Sequence, residues 1–166
     1  MATATSVSKA TAKPWLGIVW GGLACGILDF TSAIVAYGPR GVSPVRIGQS
    51  IAAGAIGREA AFSGGAKTAL LGVFFHFVIA FGAATVFYLA SRRFPFLIQH
   101  PIISGILYGE VVFVVMRYVV IPLSATKAGP WSWAAVIAGP GGHPFVVGIP
   151  IAFAVSWFAK RSKPEN

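Results

Sequence analysis

"ALLGVFFHFVIAFGAATVFYLA", residues 69 to 90, carries a single titratable side chain of the charge-changing kind, His76, and is followed at once by Ser91, Arg92, Arg93 and Pro95. At about 1.5 Å per residue a helix over this run measures roughly 33 Å, enough to cross a hydrocarbon layer of about 30 Å. The charged, helix-breaking end marks where it leaves the apolar phase. The segment predicts a transmembrane helix.

Three further runs of the same kind flank it. "WLGIVWGGLACGILDFTSAIVAY" (Trp15 to Tyr37) precedes it, with Trp15, Trp20 and Tyr37 suited to membrane boundaries. A third runs from Pro101 to Ile121, opening on a proline that a first turn tolerates and expected to stop at Pro122. The fourth runs from about Gly142 to Ala159, ahead of Lys160, Arg161 and Lys163. The fold class is therefore all-α, an integral membrane bundle of four transmembrane helices. A polar tail (1–14), one membrane domain (15–159) and a basic tail (160–166) make up the chain.

Composition agrees. The 166 residues are 56% hydrophobic and only 10% charged, with a mean hydropathy of +0.77, more apolar surface than one soluble domain of this length buries. The net charge of +9 raises the question of nucleic acid, but the thirteen Lys and Arg punctuate apolar runs instead of forming a basic stripe interleaved with aromatics. Contact with anionic lipid headgroups is the expected role, and no nucleic-acid partner is expected. The single cysteine, Cys25, leaves no internal disulfide and no multi-cysteine metal site. Although "GLAC" (22–25) is close to a lipoprotein cleavage box, Gly22 stands where Leu is wanted, and the apolar run continues past Cys25.

Two connections are unusual. Residues 38–67 are rich in Gly and Ala and place Val45, Ile47, Ile51, Ala52, Ala55 and Ile56 at helical spacing, which predicts a short interfacial or re-entrant helix in the first loop. Residues 124–144 hold a Trp pair and then "GPGGHP"; an ordinary loop is the favoured reading, a re-entrant half-helix the alternative. With four spans, Lys9, Lys13, Arg92, Arg93, Lys160, Arg161 and Lys163 share the side of both termini, against Arg40, Arg46, Arg58, Lys67 and Lys127 opposite. That bias points to cytoplasmic termini.

The chemistry resides in the titratable residues within or beside the spans: Asp29, His76, Glu110, Arg117 and His143. An ion at mid-bilayer costs upward of about 2.5 kcal/mol, so such groups face the bundle interior and find partners. Gly22, Gly26, Asp29, Ala33 and Ala36 line one face of the first span, and Gly72, His76, Ala80 and Ala84 one face of the second, the small residues marking close helix packing. By depth the five polar residues form a column from the centre to the face opposite the termini. Pairing of Asp29 with Arg117 and of His76 with Glu110 is expected. Two uses remain open: charges that fix the bundle's register, or a proton or ion path.

Other chemistries find little support. "GGAKT" (64–68) has Ala66 where a phosphate loop has Gly, and no strand leads into it. No HExxH occurs, and Ser104 and Ser156 lack a readable base. His76 and His143 lie at different depths, which makes one haem between them awkward. No cofactor, no metal and no enzymatic activity are expected. Gly17/Gly21, Gly22/Gly26 and Gly105/Gly109 fit GxxxG and signal helix association within the bundle or between copies.

"LGVFFHFVIAFGAATVFY" (71–88), "FPFLIQHPIISGILYG" (94–109), "VVIPLS" (119–124) and "GGHPFVVGIPIAF" (141–153) together resemble the YagU-like group of small bacterial inner-membrane proteins. His76, Pro122, Leu123 and His143 match that pattern; Arg117 departs from it, standing where the pattern has His. The resemblance implies a four-helix inner-membrane protein associated with acid tolerance. The resulting expectation is a small transporter- or channel-like protein affecting proton or ion balance. A structural or accessory subunit of a membrane complex, as a homo-oligomer or with a membrane-protein partner, is the alternative, and a membrane redox protein the third.

Overall fold

The computed structural model describes residues 13–127 and 129–162. Residues 1–12 with Lys9, residue 128, and residues 163–166 with Lys163 lie outside the described residues. Among the described residues four helices are long and apolar enough to cross a membrane: Leu16–Arg40, Gly65–Arg93, Pro101–Leu123 and Pro144–Arg161. Among the described residues there are helices and no strands. The first span is α1 (Leu16–Tyr37) with a closing 3-10 turn; the first loop holds α2 (Pro44–Ile56) and α3 (Arg58–Ser63); the second span is α4 (Gly65–Arg93). A short α5 (Phe96–Gln99) leads to α6 (Pro101–Val115), which continues through a π turn (Met116–Val120) into α7 (Ile121–Leu123). The third loop holds α8 (Trp133–Ala138), and the last span is a π turn (Pro144–Gly148) running into α9 (Ile149–Arg161).

The glycines establish the topology. A Cβ at Gly17 would meet the Val155 backbone at 2.8 Å, and one at Gly21 the Ile151 backbone at 3.3 Å, so α1 and α9 run antiparallel at close approach. On its other side Gly22 receives the Phe81 ring and Gly26 the Phe77 ring, which sets α4 antiparallel to α1. Gly105 abuts Ile149 and Gly109 abuts His143 and Pro144, which sets α6 antiparallel to the last span. All three GxxxG pairs are thus spent inside the bundle. The spans alternate in direction, placing the start of the first span, the end of the last and α5 at one end, the terminal end, and α2, α3 and α8 at the other.

The third helix ends at Leu123, one residue past Pro122. A proline inside a helix crowds the carbonyl four residues before it. Those residues are Tyr118 for Pro122 and Val146 for Pro150, and both lie inside π turns. The wider turn moves the carbonyl aside, so each helix continues past its proline. The second span also exceeds its apolar run, gaining residues 65–68 and 91–93.

The first loop is more firmly built than a surface strap. Ser43 caps α2 by accepting from the Arg46 amide at 3.3 Å, with Pro44 at the first position. Gly57, at φ +80°, ends α2 in a conformation that side chains resist. Gly48 and Gly72 meet backbone to backbone, and the buried Gln49 donates from Nε2 to the Gly65 carbonyl at 3.1 Å, which fixes α2 against α4. Correcting the ordinary-loop expectation for residues 124–144, α8 is a six-residue helix capped by Ser132 that packs back on α1, with Ala134 fully buried.

At the terminus end the spans close tightly. Phe87, Ile151 and Val155 are fully buried among Ala84 and Ala152. The outer surface exposes large apolar residues such as Leu70, Phe74, Leu107 and Val111, a pattern that suits lipid contact. This is the architecture of a multi-pass membrane protein.

Candidate functional site

A cavity of about 580 Å³ occupies the end of the bundle opposite the termini, lined by all four spans together with α2 and α8. It starts where the tight core stops, since Cys25, Ala80 and Val147 belong to both, and it extends to Tyr37, Val42, Arg46 and Trp131. The Tyr108 hydroxyl donates to the Ala83 carbonyl at 2.7 Å and ties the third span to the second at the cavity's closed end.

Asp29, His76, Arg117 and His143 line this cavity from four different spans; Glu110 does not. Glu110 is half-buried on α6 outside it. The expected pairs are also absent: among the described residues no ion pair within 4.0 Å joins Asp29 to Arg117 or His76 to Glu110. Each group has other company. His76 Nε2 lies 2.9 Å from the Gly26 carbonyl oxygen. That oxygen only accepts, so Nε2 is the ring nitrogen that donates. Phe30 and Phe77 hold the ring, with centroids at 5.5 and 5.6 Å.

Asp29 sits one helical turn beyond Gly26 on α1 and lines the same cavity as His76 and His143. His143 precedes the second π turn, with its ring edge-on to Phe113 at 5.6 Å. Its Nδ1 is buried and has no hydrogen-bond partner among the described residues. One carboxylate and two imidazoles from three spans thus meet in one space.

Arg117 donates from Nη1 to the Gly129 carbonyl at 3.1 Å and lies 4.8 Å above the Trp131 ring. Arg46, by sequence only a basic loop residue, lines the cavity from α2, 4.7 Å over the Phe62 ring. The chain does hold a signal for it: Arg46 falls beside Ile47 and one turn before Ser50, which share its face and also line the cavity. Among the described residues no three His, Cys, Asp or Glu side chains gather closely enough to hold a metal ion.

No family model matches the chain, and no curated protein or solved structure matches it.

Proposed function

We propose that this is a non-enzymatic, transporter-like protein of the bacterial inner membrane, with both termini cytoplasmic, in which Asp29, His76 and His143 exchange protons with the opposite side. The observation that carries this reading is the convergence of one carboxylate and two imidazoles on a cavity that reaches Arg46 and Trp131 at one end and stops against the core around Phe87 at the other. Imidazole is the side chain that ordinarily changes charge near neutral pH, and charged groups at membrane depth tend to mark proton or ion routes. A proton arriving from the open end reaches Asp29 and His143 before His76, whose Nδ1 is its deepest acceptor among the three. Passage onward requires the closed end to open. The π turns at Met116–Val120 and Pro144–Gly148 are the places where the third and fourth spans can bend. The resemblance to the YagU-like group adds acid tolerance as the setting.

The test is proton flux in proteoliposomes of the purified chain with a pH-sensitive dye inside. Flux lost in folded Asp29→Asn supports the reading; absence of flux in the wild type under an imposed pH gradient rejects it. A second reading, an accessory subunit, is favoured by Glu110, a half-buried carboxylate that does not line the cavity and that a neighbouring membrane protein or second copy could partner. Co-purification of a stoichiometric partner in mild detergent would support it.

A further inference from the structure

The proton-exchanging groups account for one part of the cavity and leave its size and its two guanidinium groups unexplained. A volume of about 580 Å³ lies within the range of sites that take small organic molecules, roughly 300 to 1,000 Å³. A proton route needs far less. Phe30, Phe62, Phe113 and Trp131 supply flat apolar walls.

Charge indicates what such a molecule carries. Facing the cavity are Cys25, Asp29 and Tyr37 from the first span, His76 from the second, Arg117 from the third, His143 from the fourth and Arg46 from α2. With both imidazoles neutral, two permanent cations face one carboxylate, so the space is net positive, and each proton taken up by an imidazole or by Asp29 makes it more so. Arg58 adds to the positive rim by sharing the Phe62 ring with Arg46, at 5.1 Å. Guanidinium groups pair with carboxylate or phosphate and so favour an anionic ligand. Aromatic rings hold both Arg46 and Arg117, no acid pairs with either among the described residues, and Arg117 gives one of its five donors to Gly129.

We infer that the cavity binds an amphipathic organic anion, its carboxylate or phosphate held by Arg46 and Arg117 and its apolar body lying along the aromatic walls. Proton uptake at Asp29, His76 and His143 then strengthens anion binding, and bound anion strengthens proton uptake by the same factor. This rests on the proton-exchange reading and deepens it by naming what travels with the proton.

Calorimetry on the full chain in zwitterionic nanodiscs, with empty nanodiscs subtracted, tests it with three probes: naphthoate as a soluble anion, laurate as a membrane-partitioning anion and naphthylmethanol as a neutral isostere. Saturable binding of at least one anion is expected, at least tenfold tighter than naphthylmethanol and weakened at least tenfold by Arg117→Gln or Arg46→Gln. Naphthoate alone binding assigns an aqueous source, laurate alone a membrane source. Equal binding of the neutral isostere, no saturable binding of either anion, or unchanged affinity in both Gln variants overturns the inference. If the Gln variants do not fold, Arg117→Lys and Arg46→Lys and the isostere comparison decide. Anion binding that persists in a protein without proton flux would sink the proton reading alone; flux without anion binding would sink this inference alone.

Discussion

His76 Nε2 lies 2.9 Å from the carbonyl oxygen of Gly26, a tether between the second and first spans in which the imidazole donates and the carbonyl accepts. The same glycine admits the Phe77 ring, since a Cβ there would lie 2.5 Å from it. Sequence, packing and site chemistry meet at this contact. A small residue on α1 lets α4 approach, and the approach positions the histidine.

Removing the tether should loosen the bundle. His76→Ala loses one interhelical hydrogen bond and the packing of the ring on Phe30 and Phe77, a destabilisation of about 1 to 3 kcal/mol. His76→Gln, whose amide can donate to the same carbonyl, should recover part of it. Thermal unfolding in mild detergent reads both, and two variants that melt with the wild type would remove the tether from the account.

The close approach at Gly109 makes a paired prediction. A Cβ there would fall 2.5 Å from the His143 carbonyl oxygen and 2.6 Å from Pro144, whereas one at Gly82 would meet nothing within 4 Å. Gly109→Ala should therefore destabilise by about 1 to 3 kcal/mol and displace His143 from the cavity. Gly82→Ala should be neutral or stabilising by up to about 1 kcal/mol through helix propensity. Unfolding midpoints of equal size and sign for the two variants would contradict the packing described.

Position in the cavity separates the two membrane carboxylates. Asp29 lines it and Glu110 does not, so Asp29→Asn should abolish proton flux while Glu110→Gln leaves it near the wild-type rate. The reverse pattern in folded proteins would place the route outside the cavity.

Much of this arrangement is readable in the chain, and the failures have identifiable causes. The spans follow from apolar length, and the inward faces of α1 and α4 from the spacing of Gly22, Gly26, Gly72 and Ala80, which do meet neighbouring elements. Glu110 and Arg117 share a face only in an unbroken α-helix. Arg117 lies in the π turn and lines the cavity, whereas Glu110 lies two turns nearer the closed end, where Tyr108 ties the third span to the second, so the two do not line the same space. The expected ion pairs fail for another reason: Gly26 and Gly129 offer backbone carbonyls that satisfy His76 and Arg117, and hydropathy and spacing carry no information about backbone acceptors. Arg46 and α8 enter the cavity through tertiary packing of short loop helices, whose few residues give weak periodicity.

The most direct measurement asks whether the cavity opens on one side only. In a Cys25→Ala background, Ala33→Cys, which lines the cavity, and Ala152→Cys, which is fully buried in the closing core, would be treated with a membrane-impermeant anionic methanethiosulfonate reagent from each side of oriented vesicles. Modification of Ala33→Cys from the α2 and α8 side alone, with Ala152→Cys inert from both, is the result predicted. An inert Ala33→Cys, one modified equally from both sides, or an Ala152→Cys that reacts as fast would contradict a cavity that leads from one face to Asp29 and stops.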